Sequence, residues 1–246
     1  MVEAAAIFTR TGGEILARWG HYLAGITWIG LLYYFNFVQT PSFATFEAGP
    51  RTEAVRKLVP RALWWFRWAA AFTVLTGILI LWAGHELEDE YFGSVGGTAI
   101  LTGALLGITM LANVWLVIWP NQKVVIASAE GVAAGREADP AATAAGRRGA
   151  VASRTNTLFS IPLLFFMGAA SHFHVAGEFA GGLLVYWIIV IAIVAFIELN
   201  SLGVWGGVGP GPLRQPLESV RSVIISGFVL WVILYALFET LVRKTT

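Results

Sequence analysis

The stretch WGHYLAGITW at residues 19–28 lies in the first long apolar segment of the chain and contains a histidine, His21. A titratable ring inside a membrane-spanning segment is costly and by default marks a functional site. Gly25 and Trp28 follow His21 at spacings of four and seven residues, so a helix would place all three on one face. The stretch therefore predicts a transmembrane helix with a ligand-bearing face.

A second stretch, MGAASH at residues 167–172, has the reverse order, with Gly168 four residues before His172. A flat cofactor that is held by a histidine needs a neighbouring position without a side chain. We therefore predict that His21 and His172 are the axial ligands of a haem. The other candidate cofactor contacts are Gly25, Gly168 and Trp28. For both histidines an interhelical hydrogen bond, or a place at the membrane interface, remains the alternative.

The composition indicates an integral membrane protein, because 57% of the 246 residues are hydrophobic, only 13% are charged and the mean hydropathy is +0.71. A formal net charge of +1 gives no reason to expect nucleic-acid binding. The absence of cysteine excludes disulfides, thiolate metal sites, Fe–S clusters and covalently attached c-type haem. Imidazole also suits copper, so a copper site built from the histidines is a further, lower-ranked alternative.

Six apolar segments have the length of about 20 residues that a membrane helix requires. Residues 120–154 are rich in Ala and Gly with scattered arginines, and we interpret them as a cytoplasmic interfacial connection. We therefore predict an all-α fold, a polytopic helical bundle in the lipid bilayer that forms a single domain over residues 1–246. The predicted spans are roughly 16–38, 62–84, 98–119, 157–176, 181–199 and 220–242.

Charge predicts the orientation of the bundle. Basic residues are concentrated in the connections after the first, third and fifth spans, whereas the connection after the second span is acidic. The positive-inside rule then places both termini on the outer, periplasmic side, and all four histidines toward that side. His172 and His174 are two residues apart and point to nearly opposite helix faces. His85, beside acidic residues, is interpreted as a solvated interfacial ring, and His174 similarly.

Polar side chains are predicted at the inner ends of the spans. They would line a substrate or quinone pocket, or else form hydrogen bonds that pack the helices together. Arg67 is the cation best placed to receive an anionic substrate, with a snorkelling arginine as the alternative. We take Arg67, Asn113, Asn121 and Gln122 as the candidate catalytic residues. The wider inner set also includes Asn36 and Asn156.

Four stretches resemble the membrane domain of the membrane-bound urate oxidase (urate hydroxylase) family of bacteria. Together they cover most of residues 15–175, while the last two spans are similar to the family only in hydrophobicity. The stretches are RWGHYLAGITWIG at 18–30, LWWFRW at 63–68, ANVWLVIWPNQK at 112–123, and Asn156 through Pro162 to Ser171-His172-Phe173.

The resemblance implies a protein of the bacterial inner membrane whose family oxidises urate and passes electrons to cytochrome c. His21 and His172 stand at the family's histidine positions, and haem b is the implied cofactor. The family typically continues into a C-terminal cytochrome c domain and has a histidine where Leu101 stands. This chain ends at Thr246 without any cysteine, so we expect a separate cytochrome c or other redox subunits as partners.

The predicted function is therefore that of a b-type haem membrane oxidoreductase or electron-transfer protein, with an anionic small molecule such as urate as candidate substrate. The alternative is a non-catalytic membrane anchor or scaffold subunit of a larger redox complex.

Overall fold

The structure, a computed structural model, describes residues 9–84, 89–170, 178–179 and 181–244. Nearly all of these residues are helical. The α-helices are α1 (Arg10–Tyr33), α2 (Thr40–Thr45), α3 (Ala48–Lys57), α4 (Val59–Ala83), α5 (Asp89–Phe92), α6 (Val95–Ala112), α7 (Trp119–Ala133), α8 (Ala141–Ala169), α9 (Leu183–Leu202) and α10 (Val220–Leu241). A 3₁₀ helix covers Pro212–Leu217, and two-residue strands β1 (Glu178–Phe179) and β2 (Arg243–Lys244) pair antiparallel.

Within the described residues, four helical segments are long and apolar enough to cross a membrane: Ala48–Ala83, Val95–Ala133, Leu183–Leu202 and Val220–Leu241. They overlap four of the six predicted spans (62–84, 98–119, 181–199 and 220–242), and the all-α class is confirmed. The predicted span 16–38 falls on α1 and the π-helical residues that follow it, and the predicted span 157–176 falls on the second half of α8, with residues 171–176 outside the described residues. Both α1 and α8 carry charged residues in their first halves. The full number of crossings and the side of the termini stay predictions.

Two π-helical turns interrupt the long helices, each just before a proline. The first π-turn (Tyr34–Gln39) precedes Pro41, and the second π-turn (Asn113–Ile118) precedes Pro120. Proline has no N–H and its ring crowds the carbonyl four residues earlier, which in both cases lies inside the π-turn. The wider turn relieves that crowding, and the chain stays helical from Val95 to Ala133. Residues 120–133, predicted as part of an interfacial connection, therefore extend the preceding span.

Helix α8 lies at the centre of the bundle. It packs against α6, α7 and α10, while α1 packs along α4 and α9 covers α8 and α10. The core is aromatic at one end, where the rings of Phe166 and Phe238 meet edge to face at 5.7 Å. Tyr186 is buried beside them and its hydroxyl is 2.7 Å from Thr102 Oγ1. A buried hydroxyl without a partner would be costly, so this pair holds α9 against α6.

Small residues allow the closest helix contact of α8 and α10. A Cβ atom on Gly227 would overlap the side chain of Ile161 and lie 3.1 Å from the carbonyl oxygen of Leu158. Membrane helices gain little from the hydrophobic effect between themselves, so close backbone approach at glycine supplies much of their packing energy. Outward-facing positions of α4, α9 and α10 carry large exposed apolar side chains such as Phe72, Ile188 and Phe228, as expected for a surface in contact with lipid.

Candidate functional site

His21 is the one histidine of the chain that lies in the described residues, and its ring is half-buried between α1 and α4. The Nδ1 atom is 2.8 Å from the carbonyl oxygen of Thr73 and 3.3 Å from Thr76 Oγ1. A carbonyl oxygen only accepts, so Nδ1 carries the proton in this contact and the neutral ring has its lone pair on Nε2. The part of the chain described here offers Nε2 no hydrogen-bond partner.

Glycines bring α1 and α4 together around this ring. A Cβ on Gly77 would lie 3.3 Å from His21 Cε1, and the corresponding position on Gly20 is 3.5 Å from Thr76 Cγ2. Gly25 also faces α4, where its Cβ position is 3.9 Å from Thr73 Cγ2. The structure thus brings His21 and Gly25 to the same interface, as the helical spacing predicted. At Gly25 that interface is filled by α4 itself.

Trp28 lies on the same face of α1, two turns further along. Its side chain is only 2% exposed, and the indole Nε1–H has no acceptor among the residues that the structure describes. A buried donor without an acceptor is unfavourable unless an oxygen or nitrogen from elsewhere satisfies it. His21 Nε2 and Trp28 Nε1 are therefore two polar atoms on one helix face that lack a described partner.

The second predicted ligand cannot be placed. His172, like His85 and His174, lies outside the described residues. Gly168 lies in the last turn of α8, and a Cβ built on it meets no described atom within 4 Å.

A polar network joins three elements at the other end of the bundle. Asn113, in the second π-turn, donates from Nδ2 to Asn156 Oδ1 on α8 at 3.0 Å and to Glu198 Oε2 on α9 at 2.9 Å. Asn156 in turn donates to the carbonyl oxygen of Met110 at 3.0 Å, and its side chain is fully buried. The amides of Asn113 and Asn156 are thereby used in helix packing, the second of the two interpretations that the sequence allowed.

The first π-turn makes an equivalent contact to α8. Asn36 donates from Nδ2 to Ser153 Oγ at 2.8 Å. One turn earlier, the hydroxyl oxygen of Tyr33 is 2.9 Å from Ser160 Oγ. Each π-turn therefore directs an asparagine at α8, and π-turns in general are found often at functional sites. A proline follows each of these asparagines within two turns, but Asn156 and Pro162 on α8 have a similar spacing without a π-turn, so the pattern alone does not predict one.

Arg67 lies over an indole instead of pairing with a carboxylate. Its guanidinium carbon is 3.5 Å from the ring centroid of Trp119 and 5.5 Å from that of Trp115, while Lys123 Nζ is 5.7 Å from Trp119. Arg67 Nε is buried, and no described atom accepts a hydrogen bond from it. Two cations around one indole, with no described carboxylate bound to either, form a region that would attract a flat anion.

The other two candidate catalytic residues lie on α7 without joining this region directly. Asn121 Nδ2 donates back to the carbonyl oxygen of Val117 on its own helix at 2.8 Å. Gln122 faces α8, where its Nε2 is 3.2 Å from the Cβ position of Gly149. The sequence did not single out Lys123 as a partner of Arg67 or Glu198 as a partner of Asn113, because both pairings depend on how distant helices align.

Among known protein families, one model matches part of the chain. A family model described as urate oxidase N-terminal matches residues 88–200, which is just under half of the chain. The matched segment contains the second π-turn, α8 and most of α9, and with them Asn113, Asn156 and Glu198. No curated protein and no solved structure matches the chain.

Proposed function

We propose that this protein is a urate oxidase-related oxidoreductase of the bacterial inner membrane that holds a b-type haem through His21. The observation that carries the proposal is the contact of His21 Nδ1 with the carbonyl oxygen of Thr73 at 2.8 Å, which requires the proton on Nδ1. Histidines that ligate metals commonly donate the other ring N–H to a carbonyl or carboxylate, which fixes the ring orientation and leaves the second nitrogen for the metal. The match to the urate oxidase N-terminal model over residues 88–200 supports the urate oxidase-related function.

The residues described here fit a haem. His21 Nε2 supplies an unprotonated imidazole nitrogen, and the unsatisfied Trp28 Nε1–H could donate to an oxygen at the edge of such a group. Gly168 lies in the last turn of α8, and His172, the predicted second ligand, follows four residues later. A haem in this position supplies one-electron redox chemistry. The protein would hold the imidazole in one orientation and limit the access of water through the apolar side chains of the bundle.

The substrate proposal rests on the region around Trp119. Arg67 and Lys123 place two positive charges at the ring, and Arg67 Nε has no described acceptor. A planar anion such as urate would stack on aromatic or guanidinium surfaces and accept hydrogen bonds from Arg67. Electrons would leave through a separate cytochrome c or another redox subunit, as the resemblance to the family implies.

Absorption spectra of the purified protein test the haem proposal. We expect a b-type spectrum upon dithionite reduction that is lost in His21→Ala and in His172→Ala. His85→Ala is the matched control, because that ring is predicted to be solvated at the interface, and it should keep the spectrum. A folded wild-type protein that takes up no haem, even when haem is supplied during expression, would contradict the proposal. That outcome would favour a non-catalytic membrane subunit.

A further inference from the structure

Helices α9 and α10 meet at one end of the bundle and diverge toward the other. At the closed end Gly182 N–H donates to the carbonyl oxygen of Leu241 at 3.0 Å, and the rings of Tyr186 and Phe238 are 6.0 Å apart. Between the diverging halves lies a groove with a volume of about 660 Å³. Its lining is almost entirely apolar and includes Leu158, Ile193, Phe196, Leu217, Leu230 and Ile233.

The groove has the length of a single lipid tail. It follows α9 from Ile188 to Asn200, which at 1.5 Å per residue is about 18 Å. One leaflet of the hydrocarbon core is about 15 Å thick. No charged side chain lines the groove along this length in the described residues, so its walls match a hydrocarbon chain.

Arginines surround the open end of the groove, which we call the arginine end (Arg147, Arg154 and Arg214). Arg147 pairs with both oxygens of Glu218, at 2.5 and 3.0 Å. Arg214 is 3% exposed and donates to the backbone carbonyls of Asn200 and Trp205. Hydrogen bonds from Arg147, followed by the charges of all three arginines, hold the pKa of Glu218 below its ordinary value. Of these three guanidinium groups only Arg147 is paired with the carboxylate, so the arginine end has two more positive charges than negative ones.

Arg154 connects this charge to the groove. Its Nη1 donates to the carbonyl oxygen of Leu217 at 2.9 Å, and Leu217 lines the groove. Leu158, which also lines the groove, is one helical turn from Arg154 on the same face of α8. Among the ion pairs of the described residues, none joins Arg154 to a carboxylate.

We propose that the groove and the arginine end together bind one anionic phospholipid, with an acyl chain between α9 and α10 and the phosphate at Arg154. A basic pocket at the end of transmembrane helices is the arrangement that recognises anionic headgroups. The apolar groove alone would accept any lipid, and the arginines alone would accept any phosphate. Their continuity selects a molecule that has both parts. This site is separate from the proposed haem and substrate regions.

The headgroup contact is tested by titrating dioleoyl phosphatidylglycerol into delipidated, detergent-solubilised full chain and measuring binding by native mass spectrometry. We expect Arg154→Gln to weaken binding about fivefold, equivalent to about 1 kcal/mol. Arg148→Gln is the matched control, because it removes the same charge from an exposed position on the same helix, and it should bind like wild type. Equal weakening in both variants would show nonspecific charge attraction and overturn the proposal.

The tail contact is tested with a second pair of variants on α9. Ala192 lines the groove whereas Ala195 is exposed outside it, so Ala192→Phe should reduce binding and Ala195→Phe should not. Dioleoyl phosphatidylcholine and glycerol 3-phosphate serve as probes for tail alone and headgroup alone, and both should bind more weakly than phosphatidylglycerol. Equal binding of either probe would overturn the proposal. Normal lipid binding by the Ala192→Phe protein would also overturn it. The same holds if Ala192→Phe disrupts a dimer formed through this groove and not the binding of lipid.

Discussion

Asn113 should be the residue whose loss most weakens the association of α6, α8 and α9. Asn113→Leu keeps a similar volume but removes the donor to Asn156 at 3.0 Å and to Glu198 at 2.9 Å. One interhelical side-chain hydrogen bond in a membrane contributes about 0.6 kcal/mol on average and up to about 1.7 kcal/mol. Leaving buried acceptors unsatisfied costs about 1–3 kcal/mol. We therefore expect Asn113→Leu to lower the free energy of unfolding by about 2 kcal/mol.

A double-mutant cycle with Glu198→Leu isolates the contact between α9 and the second π-turn. When Glu198 is already absent, Asn113→Leu breaks only the bond to Asn156 and should cost about 1 kcal/mol, which leaves a coupling energy of about 1 kcal/mol. The assay is unfolding in mixed micelles by SDS titration, followed by tryptophan fluorescence. Thr109→Val is the control, because its hydroxyl bonds only to Leu105 on its own helix. Additive costs within about 0.3 kcal/mol would refute the argument.

Three further predictions concern a helix contact, a carboxylate and the proposed substrate region. Gly227→Ala should destabilise the protein by about 1–3 kcal/mol because α8 leaves no space for a Cβ. Gly30→Ala is the control, because nothing lies within 4 Å of that Cβ position, and it should stabilise α1 by up to about 1 kcal/mol. Equal shifts of the melting temperature in the two variants would contradict the close contact of α8 and α10. The Glu218 carboxylate has a lowered pKa, so its stabilisation is complete above about pH 4.5 and is lost as the pH falls through the lowered value. Melting temperatures between pH 7 and pH 3 should show this loss in wild type and less of it in Glu218→Gln. Arg67→Ala and Lys123→Ala should each weaken urate binding, measured by equilibrium dialysis of the purified protein, and Arg67→Ala should have the larger effect. Unchanged urate binding in Arg67→Ala would contradict the proposed substrate region.

Much of the helical architecture could be predicted because hydrocarbon leaves the backbone few alternatives. Apolar runs of sufficient length must be helical in a membrane, and four of the predicted spans appear as such helices. The spacing of Gly25 and His21 also predicted a shared face correctly, since helical periodicity alone decides it.

The π-turns and the polar partners could not be derived in this way. A π-turn depends on how the backbone accommodates Pro41 and Pro120, and Pro162 in the middle of α8 produces no such turn. The contact of Asn113 with Glu198 and that of Arg67 with Trp119 join residues far apart in sequence. Their formation depends on the rotation and depth of each helix, which hydrophobicity specifies only coarsely. The hydrogen bond between His21 Nδ1 and the carbonyl oxygen of Thr73 also depends on how α1 and α4 are rotated relative to each other.

The identity of the axial ligands would show whether His21 Nε2 binds the proposed haem. Near-infrared magnetic circular dichroism of the oxidised, purified protein distinguishes two imidazole ligands from imidazole paired with a thioether. We predict the bis-imidazole signature for wild type and the imidazole–thioether signature for His21→Met, because a methionine at this position would replace one of the two nitrogens. A wild-type signature that persists unchanged in His21→Met would show that the haem is held elsewhere and contradict the account.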